Sequence, residues 1–429
     1  MMSRATLCRW SSVVLVLAGG SAAGQSTTRV SVSSRGAQAD SASEWVAISA
    51  GGRFVAFQSP ATNLVAGDTN SCDDVFVHDR QGGTTERVSV DSAGAQANFD
   101  SGTPSISADG RFVGFDSFDM NLVAGDTNSS SDVFVHDRRS GTTERVSVDS
   151  AGTQANAGSY APLISANGRF VAFLSSATNL DAGDPNGDQS VFVHDRQSGT
   201  TELVSVTTGG VNANGLCTRH SISANGRFVG FDSDSTNLVA GDTNGSFDVF
   251  VHDRRSGTTE RVSIDSAGAQ ANGYNPSISA DGRFVAFHSF ASNLVAVDTN
   301  GFTDIFVRDR QNGTTERVSL DSAGAQANGA SYNPSISADG RSVQFESAAT
   351  NLVAGDTNGF TDIFVRDRQN GTTERVSVDS GGAEGDGDIW SNTRASISRD
   401  GRYVSFIGHA TNLVAGDTNG FPDVFVRDR

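Results

Sequence analysis

Lysine is absent from the chain. All 31 basic side chains are arginine, set against 49 acids, and the formal net charge is −18 with a pI near 4.7. A surface of that sign repels nucleic acid and anionic lipid, and it leaves cations, neutral polymers or basic partners. Cysteine is almost absent as well: of three residues, Cys8 lies in the N-terminal leader, while Cys72 and Cys217 fall in distant units of the repeat below. Such separation excludes a disulfide, so a cystine framework is not what holds this fold. No G-x-S-x-G, H-E-x-x-H or C-x-x-C motif occurs, which removes the common signatures of serine hydrolases, zinc peptidases and dithiol redox proteins. Helical periodicity of apolar residues is missing too, as is any linker or low-complexity tail, so the chain is expected to be one all-β domain.

The longest apolar run is Val13 to Ala18, preceded by Arg4 and Arg9 and followed by the small residues Gly19 to Gly24. That order predicts a secretory signal over residues 1–24, too short for a stable membrane span, with cleavage after Ala23 or Gly24. A retained anchor is the alternative. Leu17-Ala18-Gly19 has the look of a lipidation site, but Gly20 stands where its cysteine belongs.

What fills the rest is one unit written seven times. SISADGRFVAF and its near-copies place Gly-Arg pairs at Arg53, Arg111, Arg169, Arg227, Arg283, Arg341 and Arg402, spaced 58, 58, 58, 56, 58 and 61 residues apart. Each unit carries four strand signals: SIS, RFVAF, D-[VI]-F-V-[HR]-D-R and TTERVSV. Asp-Gly or Asn-Gly joins the first two and predicts a type I′ turn with positive φ at both positions. Phe112, Val113 and Phe115, like Val133, Phe134 and Val135, are apolar at consecutive positions, so both faces of the middle strands need burial against other sheets. The fourth strand alternates Val146, Ser147, Val148, as a half-wet outer strand does. Four-stranded antiparallel meanders with that pattern are propeller blades.

Closure is legible at the ends. Asp423 to Arg429 is a third strand with no fourth after it, and Thr27 to Val32 reads as a fourth strand with no first three before it. The N-terminal strand is therefore expected to complete the last blade of a seven-bladed β-propeller spanning residues 25–429, which leaves no partial sheet edge.

The SADGRFVAF, DVFVHDR and GTTERVSV segments resemble the WD40-like propeller repeat of the TolB-type family, whose text is close to SPDGRxIAFxS followed by a D-I-Y-V-type strand. The resemblance covers nearly the whole mature chain and implies the propeller fold. TolB carries an α/β domain before its propeller and related peptidases append a hydrolase domain. Neither is expected here, where only Gln25 and Ser26 separate the leader from the first strand signal and Arg429 ends the last, so TolB's partner binding and peptidase activity are not expected to carry over.

A residue that recurs in every blade serves the blade. His78, His136, His194 and His252 precede Asp-Arg pairs and would look catalytic alone, but blades five to seven put Arg308, Arg366 and Arg427 there. They are expected to be strand-end surface or capping residues, and no catalytic residue is assigned. Between the second and third strands an Asp-x-Asn pattern with a further Asp recurs. Its instances are Asp68/Asn70/Asp74, Asp126/Asn128/Asp132, Asp242/Asn244/Asp248, Asp298/Asn300/Asp304, Asp356/Asn358/Asp362 and Asp417/Asn419/Asp423. Blade three departs, with Asp184, Pro185, Asn186, Asp188 and Ser190. Alternating oxygen ligands in a tight loop suit Ca²⁺, although the fifth position is Phe or Ser. An Asx-turn that opens the next strand is the alternative reading.

The loops between strands two and three and between blades are long and emerge on one side of the disc, which makes that side the expected working face. The inter-blade loops carry Phe99, Tyr160, Tyr274, Tyr332 and Trp390, with Trp45 in blade one, rings suited to sugar or peptide contact. Symmetry-breaking groups are the better candidates. One is Glu384, Asp386, Asp388 and Trp390 before blade seven, beside Glu44 and Trp45 of blade one. The other is Cys217, Arg219 and His220 before blade four. The expectation is a secreted or periplasmic, monomeric, non-enzymatic module binding protein, peptide or glycan at the long-loop face. An enzyme on extracellular polysaccharide, with Glu384, Asp386 or Asp388 in the funnel, is the alternative.

Overall fold

The computed structural model describes residues 25–182, 184, 187–389 and 396–429; the leader assigned to residues 1–24 lies outside them. Among the described residues twenty-eight strands form seven four-stranded antiparallel sheets. Strand β1 (Ser26–Arg29) stands apart, and the first full blade is β2 (Glu44–Ile48), β3 (Phe54–Ser59), β4 (Asp74–Asp79) and β5 (Thr84–Arg87). The pattern repeats to β26 (Ser396–Ile397), β27 (Tyr403–Gly408) and β28 (Asp423–Asp428). The ring closes as the sequence predicts: β1 pairs with β28, Thr28 opposite Val426 and Arg29 opposite Phe425, in a sheet ordered β1-β28-β27-β26.

Apolar burial lies between blades. Each of the seven core clusters draws on two neighbouring sheets, and one joins Val30, Val424 and Val426 to Val55, Phe57 and Phe76 across the closure seam. In every blade the Phe of strand two stacks on the Phe opposite it in strand three, from Phe57–Phe76 at 5.8 Å to Phe406–Phe425 at 5.8 Å. A belt of backbone hydrogen bonds also runs round the axis. The amide of Ala50 donates to Ala108, and the chain continues through Ala166, Ala224, Ala280, Ala338 and Arg399 back to Ala50, at 2.9–3.2 Å.

The hairpin turns differ from expectation. In Ser107–Gly110 only Gly110 has positive φ (75°), and its amide donates to the Ser107 carbonyl at 2.9 Å. This is a type I turn closed by a left-handed glycine rather than a type I′ pair. Asp109 explains it: its carboxylate accepts from Ser107 Oγ at 2.7 Å and the Arg111 amide at 3.0 Å, which holds the aspartate right-handed. The glycine is required twice, because a Cβ at Gly110 would sit 2.1 Å from the Phe54 ring of the preceding blade.

That ring lies between two guanidiniums, Arg53 at 4.7 Å and Arg138 at 4.4 Å, and the arrangement recurs along the short-turn face. Blade six alone carries a non-aromatic residue there, Ser342, next to Gly401. We expect Ser342→Phe to restore the stack and raise stability by about 1–2 kcal/mol from ring burial. A urea midpoint that falls would show that this seam has no room for the ring.

Candidate functional site

In blades one to six the innermost strand is longer than the SIS segment suggests. It begins four residues earlier in β6 (Ser101–Ile106), β10 (Ser159–Ile164), β14 (Cys217–Ile222) and β22 (Ser331–Ile336), and three earlier in β2 and β18 (Tyr274–Ile278). What the sequence conceals is a bulge. Gly102 pairs with Asp116 and Ser105 with Gly114, so Thr103 and Pro104 together oppose one residue. The first bulge residue is left-handed although it is not glycine: Trp45 (φ 47°), Thr103 (45°), Ala161 (54°), Asn275 (53°) and Asn333 (52°). Such backbone costs about 1–3 kcal/mol per residue and clusters where side chains must be aimed. Here each of these side chains is aimed into the mouth of the central channel on the long-loop face.

Together they line a cavity of about 300 Å³ whose walls differ. Trp45, Val46, Pro104, Tyr160, Pro162, Leu163 and Leu174 form an apolar side from blades one to three, and Thr218, Arg219, Asn275 and Asn333 form a polar side from blades four to six. Asp116 and Gln189 complete the lining.

A second variable position supports each bulge from behind. The residue after the core Phe of strand two is Gln58, Asp116, Leu174, Asp232, His288, Glu346 or Ile407, six residue types at seven positions amid near-identical text. Their side chains reach the next blade. Asp116 accepts from Thr103 Oγ1 at 2.5 Å and from the Ala161 amide at 3.3 Å. Asp232, 1% exposed, accepts from Thr218 Oγ1 (2.7 Å), the Arg219 amide (2.8 Å) and the Asn275 amide (2.8 Å). Asn275 Nδ2 donates to Asn333 Oδ1 at 2.7 Å, and Asn333 Nδ2 donates to Glu346. Burial pushes the Asp116 carboxyl up to about 6 and raises that of Asp232, while His288 falls to about 4 through burial and the nearby Arg219 charge.

The sequence-predicted residues divide accordingly. Trp45 and Tyr160 line the cavity. Tyr160, Tyr274 and Tyr332, read as loop residues, lie within inner strands, as do Cys217, Arg219 and His220; the bulge is what lets pairing continue through them. Tyr274 stacks on His288 at 5.5 Å and Tyr332 meets the same ring edge-on at 5.5 Å. Glu44 pairs across from Gln58. His220, 1% exposed, lies deeper, with Ile48, Ile106, Ile164 and Ile222 in a second chamber below the mouth. Glu384 stands at the outer strand end, where it ion-pairs with Arg375 at 3.0 Å and accepts from the Thr357 amide at 3.1 Å; Gln154 fills this position in blade two. Asp386 accepts from the Thr411 amide and hydroxyl at 2.6 and 2.7 Å, as Asp40 does from Thr62 in blade one. Asp388 is exposed, and none of these three acids lines the cavity. Trp390 lies outside the described residues.

The repeated histidines are buried rather than on the surface: His136 Nδ1 bonds Thr143 Oγ1 at 2.9 Å, and that hydroxyl donates to the Val90 carbonyl of the preceding blade at 2.5 Å. Arg308 performs the same duty by donating to Asp265 O at 3.0 Å and Thr315 Oγ1 at 3.1 Å.

In the Asp-x-Asn loops, read from the sequence as candidate calcium ligands, an arginine of the outer strand stands between the carboxylates. Arg87 Nη1 is 3.4 Å from Asp68 and 3.1 Å from Asp74, and Arg29, Arg145, Arg261, Arg317 and Arg375 repeat the contact. Asn70 donates to Ala97 O at 2.8 Å and accepts from the Cys72 amide at 3.1 Å, an Asx-turn. Asn128, Asn244, Asn300, Asn358 and Asn419 form the same turn, each Oδ1 accepting at 2.9–3.0 Å from the amide two residues on. The asparagine oxygen expected to face a cation therefore closes the loop instead, while Nδ2 of Asn128, Asn300, Asn358 and Asn419 ties it to a backbone carbonyl across the loop, at 2.9–3.1 Å. Among the described residues no group of three or more His, Cys, Asp or Glu is arranged to hold a metal ion.

No protein-family model matches the sequence, and no curated protein does. Solved structures do resemble it. The β-propeller domain of the Trilobed protease from Pyrococcus furiosus has a TM-score of 0.54 at 10% identity, covering 90% of this chain and 95% of that one. Oligogalacturonate lyase in complex with manganese has a TM-score of 0.55 at 11% identity, covering 95% and 94%. TolB propellers are among its structural neighbours. The Acinetobacter baumannii TolB matches at a TM-score of 0.42 and 15% identity, over 78% of this chain and 62% of its own length. At such identities the likeness is one of fold.

Proposed function

We propose that the protein is an exported, non-enzymatic binding module whose working surface is the channel mouth on the long-loop face. One observation carries this reading: in a chain that otherwise repeats itself, the residues that differ from blade to blade gather at the bulge of the innermost strand and at one position of the strand beside it, and both face or brace one cavity. Structural demands are the same in every blade, so variation concentrated there points to a ligand without sevenfold symmetry. The leader expected over residues 1–24 and the charge of −18 support export and argue against nucleic acid. Among the described residues no helix is long and apolar enough to cross a membrane.

The enzyme reading keeps one supporting observation: Asp116, with its raised pKa, faces the cavity, and the neighbours that share the fold include enzymes. The test probes glycan and peptide arrays, with and without Ca²⁺, using the mature protein and the Trp45→Ala/Tyr160→Ala variant. Ala161 already holds the left-handed conformation that an alanine in place of Trp45 would need. Capture should fall about tenfold or more with melting unchanged. Capture that is unaltered, or turnover that disappears in Asp116→Asn, would sink the proposal.

A further inference from the structure

The mouth's two walls specify a ligand chemistry, and this inference rests on the mouth being a binding site. Arg219 is exposed on the polar wall, and it makes no ion pair with any described residue. Its guanidinium spends one donor, a 3.4 Å contact from Nη1 to the Thr218 carbonyl. By contrast, the Gly-Arg arginines such as Arg111 are doubly bonded to aspartates, and the strand-end arginines such as Arg138 are ion-paired and seated over a ring. In a chain of net charge −18, a guanidinium at a cavity with its donors unspent is an anion receptor waiting for its anion. Its place is held firmly, because the buried Asp232 bonds the Arg219 amide at 2.8 Å and the Thr218 hydroxyl at 2.7 Å.

The opposite wall is built for something else. Trp45, Tyr160, Pro104, Pro162 and Leu174 offer rings and aliphatic surface with few polar atoms. Asp116, the acid on that side, is engaged by Thr103 and Ala161, so a ligand's negative end is turned away from it and toward Arg219. A volume of about 300 Å³ suits one ring with a short polar end rather than a threaded polymer. We propose that the mouth binds a small carboxylate with an apolar or aromatic body, the carboxylate on Arg219 and the body against Trp45 and Tyr160.

Calorimetric titration with N-acetylphenylalanine and its primary amide tests this, since the two probes share a body and differ in charge. Glucuronate serves as a carboxylate with a polar body. The acid should bind saturably, and the amide about tenfold or more weakly. Arg219→Gln should bring the acid down to the amide's level, and Arg219→Lys should recover part of the difference. Glucuronate should bind more weakly than the aromatic acid. Equal binding of acid and amide, indifference to Arg219→Gln, tighter binding of glucuronate, or no saturable binding of the acid at millimolar concentration overturns the proposal. If Trp45→Ala weakens acid and amide alike while Arg219→Gln does nothing, the mouth stands as a ligand site and only the anion receptor fails. If Trp45→Ala changes no interaction found on the arrays, the site itself fails and this inference with it.

Discussion

Removing residues 25–32 should leave a protein that no longer melts cooperatively as a monomer. Those residues contain the whole of β1 and the two that follow it, Val30 and Ser31, which belong to the closure seam. Val30 is 1% exposed and its amide donates to Val424 O at 2.8 Å, so its loss removes about 1.5–3 kcal/mol of burial. The greater loss is electrostatic. Asp423 is fully buried, and it is held by Ser31 Oγ at 2.5 Å and Arg29 Nη1 at 3.3 Å. Without them a carboxylate loses its main partners in an apolar seam, a change that costs about 3–5 kcal/mol. Together the two losses rival the net stability of an ordinary domain, about 5–15 kcal/mol. The deletion also bares β28 as an open edge, so aggregation should accompany unfolding. Size-exclusion chromatography and a thermal scan decide it; an unchanged monomer with an unchanged melting temperature refutes the seam.

The number of blades, the strand order and the closing strand are all legible in the sequence, and the reason is repetition. Seven near-copies of RFVAF and DVFVHDR make the two-faced apolar pattern unmistakable, and a fourth strand missing at one end is found at the other. The start of the inner strand is not legible. Trp45, Thr103 and Ala161 carry no signal of left-handed backbone, because glycine or asparagine is what normally marks it. Pro104 after Thr103 reads as the end of a loop rather than the middle of a strand. The rings at Tyr160, Tyr274 and Tyr332 therefore read as loop residues, one structural layer away from the channel they flank.

The site is legible in principle at the position after the core Phe. A column that reads Gln58, Asp116, Leu174, Asp232, His288, Glu346, Ile407 between an invariant Phe and a Ser that only blade seven replaces, with Gly408, is the sharpest break in the repeat. The lengthened loop before blade seven points instead to Glu384 and Asp386. Counterparts in other blades share their contacts: Gln154 accepts from the Thr127 amide and hydroxyl as Glu384 does from Thr357, and Asp40 accepts from Thr62 as Asp386 does from Thr411, so the duty is one the repeat performs elsewhere.

Blade three is a natural control on the acidic loops. It alone lacks the third-strand aspartate, with Ser190 in its place, and it alone lacks the outer-strand arginine, with Leu203 instead. The two are absent together, as the partners of a buried ion pair would be. In blade one the same positions are Asp74, fully buried and raised to about 6 by burial against the pull of Ser89 and Arg87, and Arg87 itself, 3.1 Å away. Arg87→Leu alone leaves Asp74 buried beside Asp68 with no cation and should cost about 3–5 kcal/mol, while Asp74→Ser alone leaves Arg87 with Asp68 at 3.4 Å and should cost less, about 1.5–3 kcal/mol for the lost charged hydrogen bonds. The double variant reproduces blade three. It should lie close to the wild type, within about 1–2 kcal/mol, because a buried pair replaced whole is nearly neutral where one broken in half is not. Urea midpoints for the four proteins, each with and without millimolar Ca²⁺, give the coupling energy directly. Additive losses would show that arginine and aspartate serve separate ends, and a calcium-dependent rise confined to proteins that keep Asp74 would return the loop to the metal.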